Sequence, residues 1–118
     1  MLFDTTQLAL ERAIEGAGKR HQALAANLAN ANTPGYQRVD VDFHGTLAAA
    51  MEGGELERVS FTPTADASAG ATRADGSTVD VDSESAKLAA NALEHQAAVS
   101  VAHARIGILR AAMGIGGA

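Results

Sequence analysis

The sequence predicts a mainly α-helical, elongated chain in which an N-terminal and a C-terminal helix pair antiparallel, in the manner of a coiled coil, around a small irregular or β-like middle segment. Near both ends, apolar residues recur at alternating intervals of four and three, which is the spacing of a heptad seam. Large apolar residues are also scarce, because Leu, Ile, Val and Phe together number 24 of 118. A deep globular core is difficult to build from so few bulky side chains.

The length of 118 residues corresponds to one domain at most. We divide the chain into three parts. Residues 1–36 form the N-terminal helix and a signature turn, residues 37–78 form an extended segment, a short helix and a flexible linker, and residues 79–118 form the C-terminal helix.

The N-terminal helix is predicted over residues 5–31. Its seam consists of Leu10, Ile14, Ala17, His21, Leu24, Leu28 and Ala31. Gly16 and Gly18 weaken the helix but allow a neighbouring helix to approach closely. The helix should end near Pro34-Gly35, a dipeptide that suits the central positions of a type II turn.

The middle of the chain contains three weaker signals. Alternation of Val39, Val41 and Phe43 with Asp40 and Asp42 predicts a short extended segment. Residues 43–52 are predicted to form a short helix that stops at a pair of glycines, and residues 55–62 carry a weak strand signal. Residues 63–78 contain almost no large apolar side chains and are predicted to be a mobile linker.

The C-terminal helix is predicted over residues 83–113, with Asp82 or Ser83 as its N-cap. Its seam consists of Leu88, Ala92, His95, Val99, Ala102, Ile106, Leu109 and Met113. The matching spacing leads to the hypothesis that this seam, through Leu88, Val99, Ile106 and Leu109, pairs with the N-terminal one. Small residues on other faces of both helices predict contacts with more than one neighbouring molecule.

Composition argues against several functional classes. The net charge of −5 provides no basic surface for nucleic acid, and the absence of cysteine excludes disulfides and thiolate metal sites. The four histidines lack metal-ligand spacing, although His21 and His95 could meet across the two helices. The acidic residues near Asp75 do not match a calcium loop, since Gly76 follows directly. With no catalytic motif present, we expect no enzyme activity, cofactor or small-molecule substrate.

The first residues have neither a basic start nor an apolar stretch of signal-peptide length. No segment approaches the roughly 20 apolar residues of a membrane span. We therefore expect that any export proceeds without an ordinary cleaved signal peptide.

A resemblance to a known family lies in the segment Ala-Asn-Leu-Ala-Asn-Ala-Asn-Thr-Pro-Gly-Tyr, residues 26–36. It resembles the N-terminal signature that flagellar rod and hook proteins share. The sequences Val-Asp-Val-Asp-Phe at 39–43, Val-Asp-Val-Asp-Ser-Glu at 79–84 and Asn-Ala-Leu at 91–93 narrow the resemblance to rod proteins of the proximal type. His95 departs from the family, which usually has a tyrosine there.

The resemblance implies a structural subunit of the bacterial flagellar basal body, located in the periplasmic rod and needed for motility. The implied partners are copies of the chain, other rod subunits, an adaptor protein between membrane ring and rod, and the flagellar type III export apparatus. Seam and signature residues together form the expected assembly interface: Leu10, Ile14, Ala17, Leu24, Asn27, Leu28, Asn30, Asn32, Pro34, Gly35, Tyr36, Asp40, Asp42, Phe43, Leu88, Asn91, Leu93, Val99, Ile106 and Leu109.

The main alternative is a small soluble helical adaptor or export chaperone, which would also be acidic, helical and free of cysteine. Such a protein would not need the signature turn or a loose middle segment. Limited proteolysis separates the two, because a chaperone is compact whereas a rod subunit has poorly protected ends before assembly. A helix lying on a membrane surface is disfavoured by the scarcity of Lys and Arg on the polar faces.

Overall fold

The computed structural model describes residues 5–66, 76 and 78–114. Two long helices, α1 (Thr5–Ala29) and α3 (Val81–Ala112), flank a short helix α2 (Phe43–Gly53) and two short strands, β1 (Val39–Asp40) and β2 (Thr64–Ala65). The molecule measures 63 × 31 × 15 Å. The predicted fold class is confirmed: the chain is mainly helical and extended, its terminal helices pack together, and a small strand pair lies in the middle. None of the described helices combines the length and apolar character that a membrane crossing requires.

The end of α1 follows from local chemistry. The helix stops two residues before the predicted position, and a turn over residues 33–36 redirects the chain. In this turn the Tyr36 N–H donates to the Thr33 carbonyl over 3.2 Å, and Gly35 has a φ of +76°. A positive φ at the third residue is what the type II turn requires, so the predicted turn is confirmed.

The strand pair differs from the sequence-based expectation. β1 pairs antiparallel with β2, with Val39 opposite Ala65 and Asp40 opposite Thr64. The strand predicted at 55–62 is therefore wrong, because the pairing partner lies in the segment predicted as linker. An edge pairing of two residues leaves no alternating apolar pattern for sequence reasoning to detect. The remainder of the predicted linker, 67–75 and 77, lies outside the described residues.

The short helix α2 begins and ends as its sequence requires. The Asp42 side chain accepts a hydrogen bond from the Gly45 N–H at 3.1 Å, which is an N-cap contact. Gly54 ends the helix with a φ of +68° and donates to the Ala50 carbonyl. The predicted range of 43–52 with a glycine stop is thus confirmed to within one residue.

The main cluster of buried apolar side chains lies between α1, α2 and the segments that adjoin the strand pair. It contains Ala17, Ala23, Val41, Phe43 and Phe61, with Val39, Leu47 and Val59 packed against it. Gly16 permits the close approach of α2 to α1, since a Cβ there would lie 2.7 Å from the Phe43 Cβ. The predicted role of Gly16 is confirmed, whereas a Cβ on Gly18 would contact nothing within 4 Å.

The N-terminus of α3 is capped earlier than predicted. Asp80 has extended backbone geometry, and its Oδ1 accepts hydrogen bonds from the N–H groups of Asp82 and Ser83 at 3.0 and 3.2 Å. The prediction of Asp82 or Ser83 as the cap is wrong, because Asp80 offers the same side chain two residues earlier. Asp82 instead lies in the first turn, where its charge favours the helix dipole.

Three contacts show that α1 and α3 run antiparallel: Gln7 with Arg105, the Ala17 carbonyl with Asn91, and Asn27 with Glu84. On α1, the predicted seam residues Ala17 and Leu24 are buried, and Leu10, Ile14 and Leu28 are half-buried.

On α3, the edge that contacts α1 includes Glu84, Asn91 and Ala102, all buried. Val99 and Ile106 are each 39% exposed, so their pairing with α1 stays a prediction. Leu88 and Leu109 remain half-buried. An alanine-rich helix has small apolar residues on several faces, and the hydrogen-bonded polar residues Glu84 and Asn91 share this edge with the seam residue Ala102.

Candidate assembly interface

Asn27 joins the end of α1 to the signature turn and to α3. Its Oδ1 accepts hydrogen bonds from the Val39 N–H at 2.9 Å and the Tyr36 hydroxyl at 3.2 Å. Its Nδ2 donates to the Val39 carbonyl at 2.6 Å and to Glu84 Oε2 at 3.2 Å. The side chain is 0% exposed and its amide is fully used, so Asn27 fixes the path of the chain after the helix.

Arg38 is a buried cation surrounded by carboxylates. Its Nε donates to Glu84 Oε1 at 2.5 Å, Nη1 pairs with Asp66, and Nη2 lies 3.5 Å from Asp40 Oδ2. Burial by itself would lower the pKa of Arg38, but the hydrogen bond that it donates to Glu84 and the charges of Glu84, Asp40 and Asp66 raise the pKa above its ordinary value. The guanidinium is therefore charged, and it ties β1 to the start of α3 and to the residue after β2.

Asp40 links this cluster to the middle of α1. The Arg20 guanidinium donates to its two carboxylate oxygens at 2.9 and 3.3 Å, and the Val41 N–H donates at 2.7 Å. Burial alone would raise the pKa of Asp40. The hydrogen bonds from Arg20 and Val41 and the charges of Arg20 and Arg38 outweigh burial, so the pKa of Asp40 lies below its ordinary value.

The expected interface residues separate into three groups by burial. Ala17, Leu24, Asn27, Phe43 and Asn91 are buried within the chain, and Leu10, Ile14, Leu28, Asn30, Tyr36, Asp40, Leu88 and Leu109 are partly buried. The exposed members are Asn32, Pro34, Gly35, Asp42, Leu93, Val99 and Ile106. Only the exposed and partly buried members can contact another molecule without a rearrangement.

The exposed members on α3 belong to two apolar stripes. The outer stripe contains Leu93, Val101 and Ile108, which are 68%, 49% and 68% exposed. The flanking stripe contains Val99, Ile106 and Met113, spaced by seven residues and 39% to 48% exposed. A helix has 3.6 residues per turn, so the outer stripe points away from the edge that contacts α1, and the flanking stripe lies beside that edge.

Sequence reasoning missed the roles of Arg38, Glu84, Val101 and Ile108. Arg38 offered a weak signal, since it is a single cation placed before two aspartates and opposite another acidic segment. Val101 and Ile108 offered a stronger one: with Leu93 and Ala97 they form a second apolar spacing on the same helix. Once a first seam has been assigned, a second stripe of this kind indicates a second contact.

The histidines do not form a metal centre within the described part of the chain, where no group of three or more His, Asp or Glu side chains is suitably placed. His21 and His95 line the same groove of about 380 Å³ between α1 and α3, together with Gly18, Gln22, Ala92 and Gln96. His44 instead contacts Glu94, with 2.7 Å between Nε2 and Oε2, and this exposed contact joins α2 to α3.

The sequence is similar to known proteins of one family. Residues 17–37, which include the end of α1 and the signature turn, match a family model described as flagella basal body rod protein. The chain is 31% identical over 115 residues to the flagellar basal body rod protein FlgB of Proteus mirabilis (strain HI4320), covering 81% of this chain and 84% of that protein. It is 32% identical to FlgB of Escherichia coli (strain K12), with 81% and 83% covered, and 36% identical to FlgB of Salmonella typhimurium over 110 residues, with 77% and 80% covered.

Paired terminal helices, a thin core and uncovered apolar stripes define a helical structural subunit of a larger assembly. The chain belongs to the FlgB family of flagellar basal body rod proteins, and it is a structural subunit of the basal body rod. Its relatives are structural rod proteins and not enzymes.

Proposed function

We propose that the chain builds the proximal rod by placing the two apolar stripes of α3 against neighbouring subunits, both copies of itself and other rod proteins. The observation that carries this proposal is the exposure of Leu93 and Ile108, each 68%. Between residues 96 and 109 the only Asp, Glu, Lys or Arg is Arg105, whose side chain is partly buried and bonded to Gln7. A long helix with so little charge on its uncovered side is stabilised when another surface excludes water from it.

The two stripes support contacts with two neighbours. Burying a Leu, Ile or Val side chain contributes ~1.5–3 kcal/mol, so the six exposed side chains of the stripes can supply a substantial part of an interface. Two different contact surfaces on one subunit generate a ring or an open helical array, and a rod is built in this way.

The exposed part of the signature turn is a third contact in this proposal. Asn32, Pro34 and Gly35 are exposed, although the turn itself is held firmly. Asn30 donates to the Ala26 carbonyl at 2.9 Å and accepts from the Thr33 hydroxyl at 3.1 Å. A rigid exposed turn loses little conformational entropy when a neighbouring subunit contacts it.

The proposal also includes the export route of the chain and its position in the rod. The chain reaches the periplasm through the flagellar type III export apparatus, keeps its N-terminus uncleaved, and contacts an adaptor protein between the membrane ring and the rod at the base. It carries out no catalysis and binds neither nucleic acid nor a small-molecule substrate. The net charge of −5 and the family relationship support this role.

The test is a set of Asp substitutions scored for rod incorporation and swimming. Leu93→Asp and Ile108→Asp change the outer stripe, and Ile106→Asp changes the flanking stripe. Because these positions are exposed, the purified variants should keep the helical content of the parent, while rod incorporation and motility are lost. Leu28→Asp should also abolish both, since Leu28 is half-buried beside α3.

Ala48→Asp is the matched control, because it places the same charge at an exposed position of α2. It should assemble and swim normally. Normal swimming of Leu93→Asp and Ile108→Asp would refute the role of the outer stripe, and normal swimming of Ile106→Asp would refute that of the flanking stripe.

A further inference from the structure

Polar side chains cross the α1–α3 interface at three places along its length. Near one end, Arg105 Nε donates to Gln7 Oε1 at 3.3 Å. In the middle, Asn91 Nδ2 donates to the Ala17 carbonyl at 2.8 Å. At the other end, Asn27 Nδ2 donates to Glu84 Oε2 at 3.2 Å.

The polar groups at these places are withdrawn from water. Gln7 is 3% exposed, Glu84 is 1% exposed, and Asn27 and Asn91 are each 0% exposed. When a buried amide loses its hydrogen-bond partner, the folded state is destabilised, because no water molecule replaces the partner. Each contact therefore favours one alignment of the helices over the others.

The apolar side chains at the same interface discriminate poorly between alignments. Apart from Gly16, the buried apolar residues in the described parts of α1 and α3 are Ala17, Ala23, Leu24 and Ala102, and three of these four are alanines. The chain has alanine at many further positions of both helices, for example Ala9, Ala13, Ala92 and Ala98. When one helix slides along the other, alanine again meets alanine, and the packing hardly changes.

We propose that Gln7, Asn27 and Asn91 are positioning residues that set the antiparallel register of α1 against α3. Single polar residues at the buried positions of paired helices are well suited to this role, because a displaced register leaves their amides unpaired. The three contacts are separated by ten residues on α1 and by seven and fourteen on α3, so any slide disrupts all three together.

The register determines where the apolar stripes of α3 lie relative to the signature turn. Sliding α3 by four residues would move its stripes about 6 Å along the axis. This consequence for the rod rests on the proposed function, but the register itself is a property of the single chain. The two ideas can therefore fail separately.

The experiment uses engineered cysteine pairs, for which the cysteine-free chain provides a clean background. Ala13 and Ala98 lie between the Gln7–Arg105 contact and the Ala17–Asn91 contact, so Ala13→Cys with Ala98→Cys reports the native register. Ala13→Cys with Ala102→Cys reports displacement by four residues. A disulfide needs Cα atoms within about 7 Å, which makes the pairs selective.

Each pair is oxidised in purified chain at low concentration, in the otherwise unchanged background and with Asn91→Leu. We expect the native pair alone to cross-link in the unchanged background. With Asn91→Leu, the ratio of native to displaced cross-links should fall about fivefold or more, while the helical content is retained. Gln7→Leu, at the far end of the pair, should have the same effect and repeats the test if Asn91→Leu loses helicity.

Leu24→Ala is the matched control, since Leu24 is a predicted seam residue of α1 that is 0% exposed, and its truncation leaves a cavity without removing a polar side chain. It should lower thermal stability and keep the native cross-link alone. The proposal is overturned if a helical Asn91→Leu or Gln7→Leu variant still gives only the native cross-link, or if Leu24→Ala produces the displaced products equally. Rod incorporation is scored separately, so a failure of assembly with an intact register would count only against the proposed function.

Discussion

Single residues decide how the signature turn is attached to the rest of the molecule. Asn27 uses both ends of its amide, and Arg38 uses three of its nitrogens, on groups from β1, α3 and the segment after β2. The Glu84 carboxylate, which is 1% exposed, accepts hydrogen bonds from both Asn27 and Arg38. A buried charge cluster of this kind stabilises the fold only while every member keeps its partner.

Arg38→Ala should therefore be strongly destabilising. It leaves Glu84 buried, with a hydrogen bond from the Asn27 amide but without the positive charge that compensates the carboxylate. Loss of one member of a buried ion pair lowers the free energy of unfolding by about 3–5 kcal/mol. Urea denaturation followed by circular dichroism measures the effect.

Arg58→Ala is the comparison, because Arg58 is exposed and such substitutions usually change stability by less than about 0.5 kcal/mol. Equal midpoints for the two variants would show that the Arg38 cluster contributes nothing to the fold.

At the scale of elements, α1 carries two glycines with different purposes. A Cβ at Gly16 would lie 2.7 Å from the Phe43 Cβ and 3.1 Å from two ring atoms, whereas a Cβ at Gly18 would enter open space. Both glycines weaken the helix equally in terms of intrinsic propensity. Within the described structure, the loss of helix propensity is compensated at Gly16, because the missing side chain allows α2 to pack closely against α1.

The two alanine variants should change stability in opposite directions. Gly18→Ala should raise the free energy of unfolding of the purified chain by roughly 0.5–1 kcal/mol, the gain in helix propensity. Gly16→Ala gains the same propensity but forces α2 away from α1, and overpacking of this kind costs about 1–3 kcal/mol. Thermal melting of both variants provides the measurement, and a stabilised Gly16→Ala would contradict the close packing of Phe43 against Gly16.

At the scale of the whole molecule, the chain is a thin slab. Its shortest dimension is 15 Å, and among the described residues its main apolar cluster has five buried side chains, which lie on α1, on α2 and beside the strand pair. The second half of α3 lies outside this core, and Ala102 is the one residue after Asn91 in the described part of α3 that is buried. Neighbouring subunits in the rod would supply the burial that a single chain lacks, which couples folding to assembly.

Hydrogen exchange on the purified monomer should show that protection is higher near the main apolar cluster than in the second half of α3. We expect the highest protection at residues 17–24 of α1 and in α2, and the lowest in residues 103–112 of α3. The melting of the monomer followed by circular dichroism should be broad, and early proteolysis should fall in the terminal helices. A fully helical monomer with uniform protection and one sharp transition would contradict the coupling, and would favour the compact adaptor or chaperone alternative.

The sequence by itself determined the features that depend on neighbouring residues along the chain. The heptad spacing predicted both long helices, Pro34-Gly35 predicted the turn, and the Gly53-Gly54 pair predicted the end of α2. These signals act within a few residues, because helix geometry, proline sterics and the positive φ of glycine are local properties. The Asn-rich signature also indicated the family to which the chain belongs.

Only the tertiary structure decided which edge of α3 faces α1 and which residues remain uncovered. Periodicity assigned neither Asn91 nor Glu84 to the seam, yet both are buried beside α1, where they form hydrogen bonds with the Ala17 carbonyl and the Asn27 amide. The same holds for Arg38, which is buried only because Glu84, Asp40 and Asp66 converge on it from distant parts of the sequence. In a chain with alanine on every helix face, hydrophobicity cannot rank the faces, and long-range polar contacts decide between them.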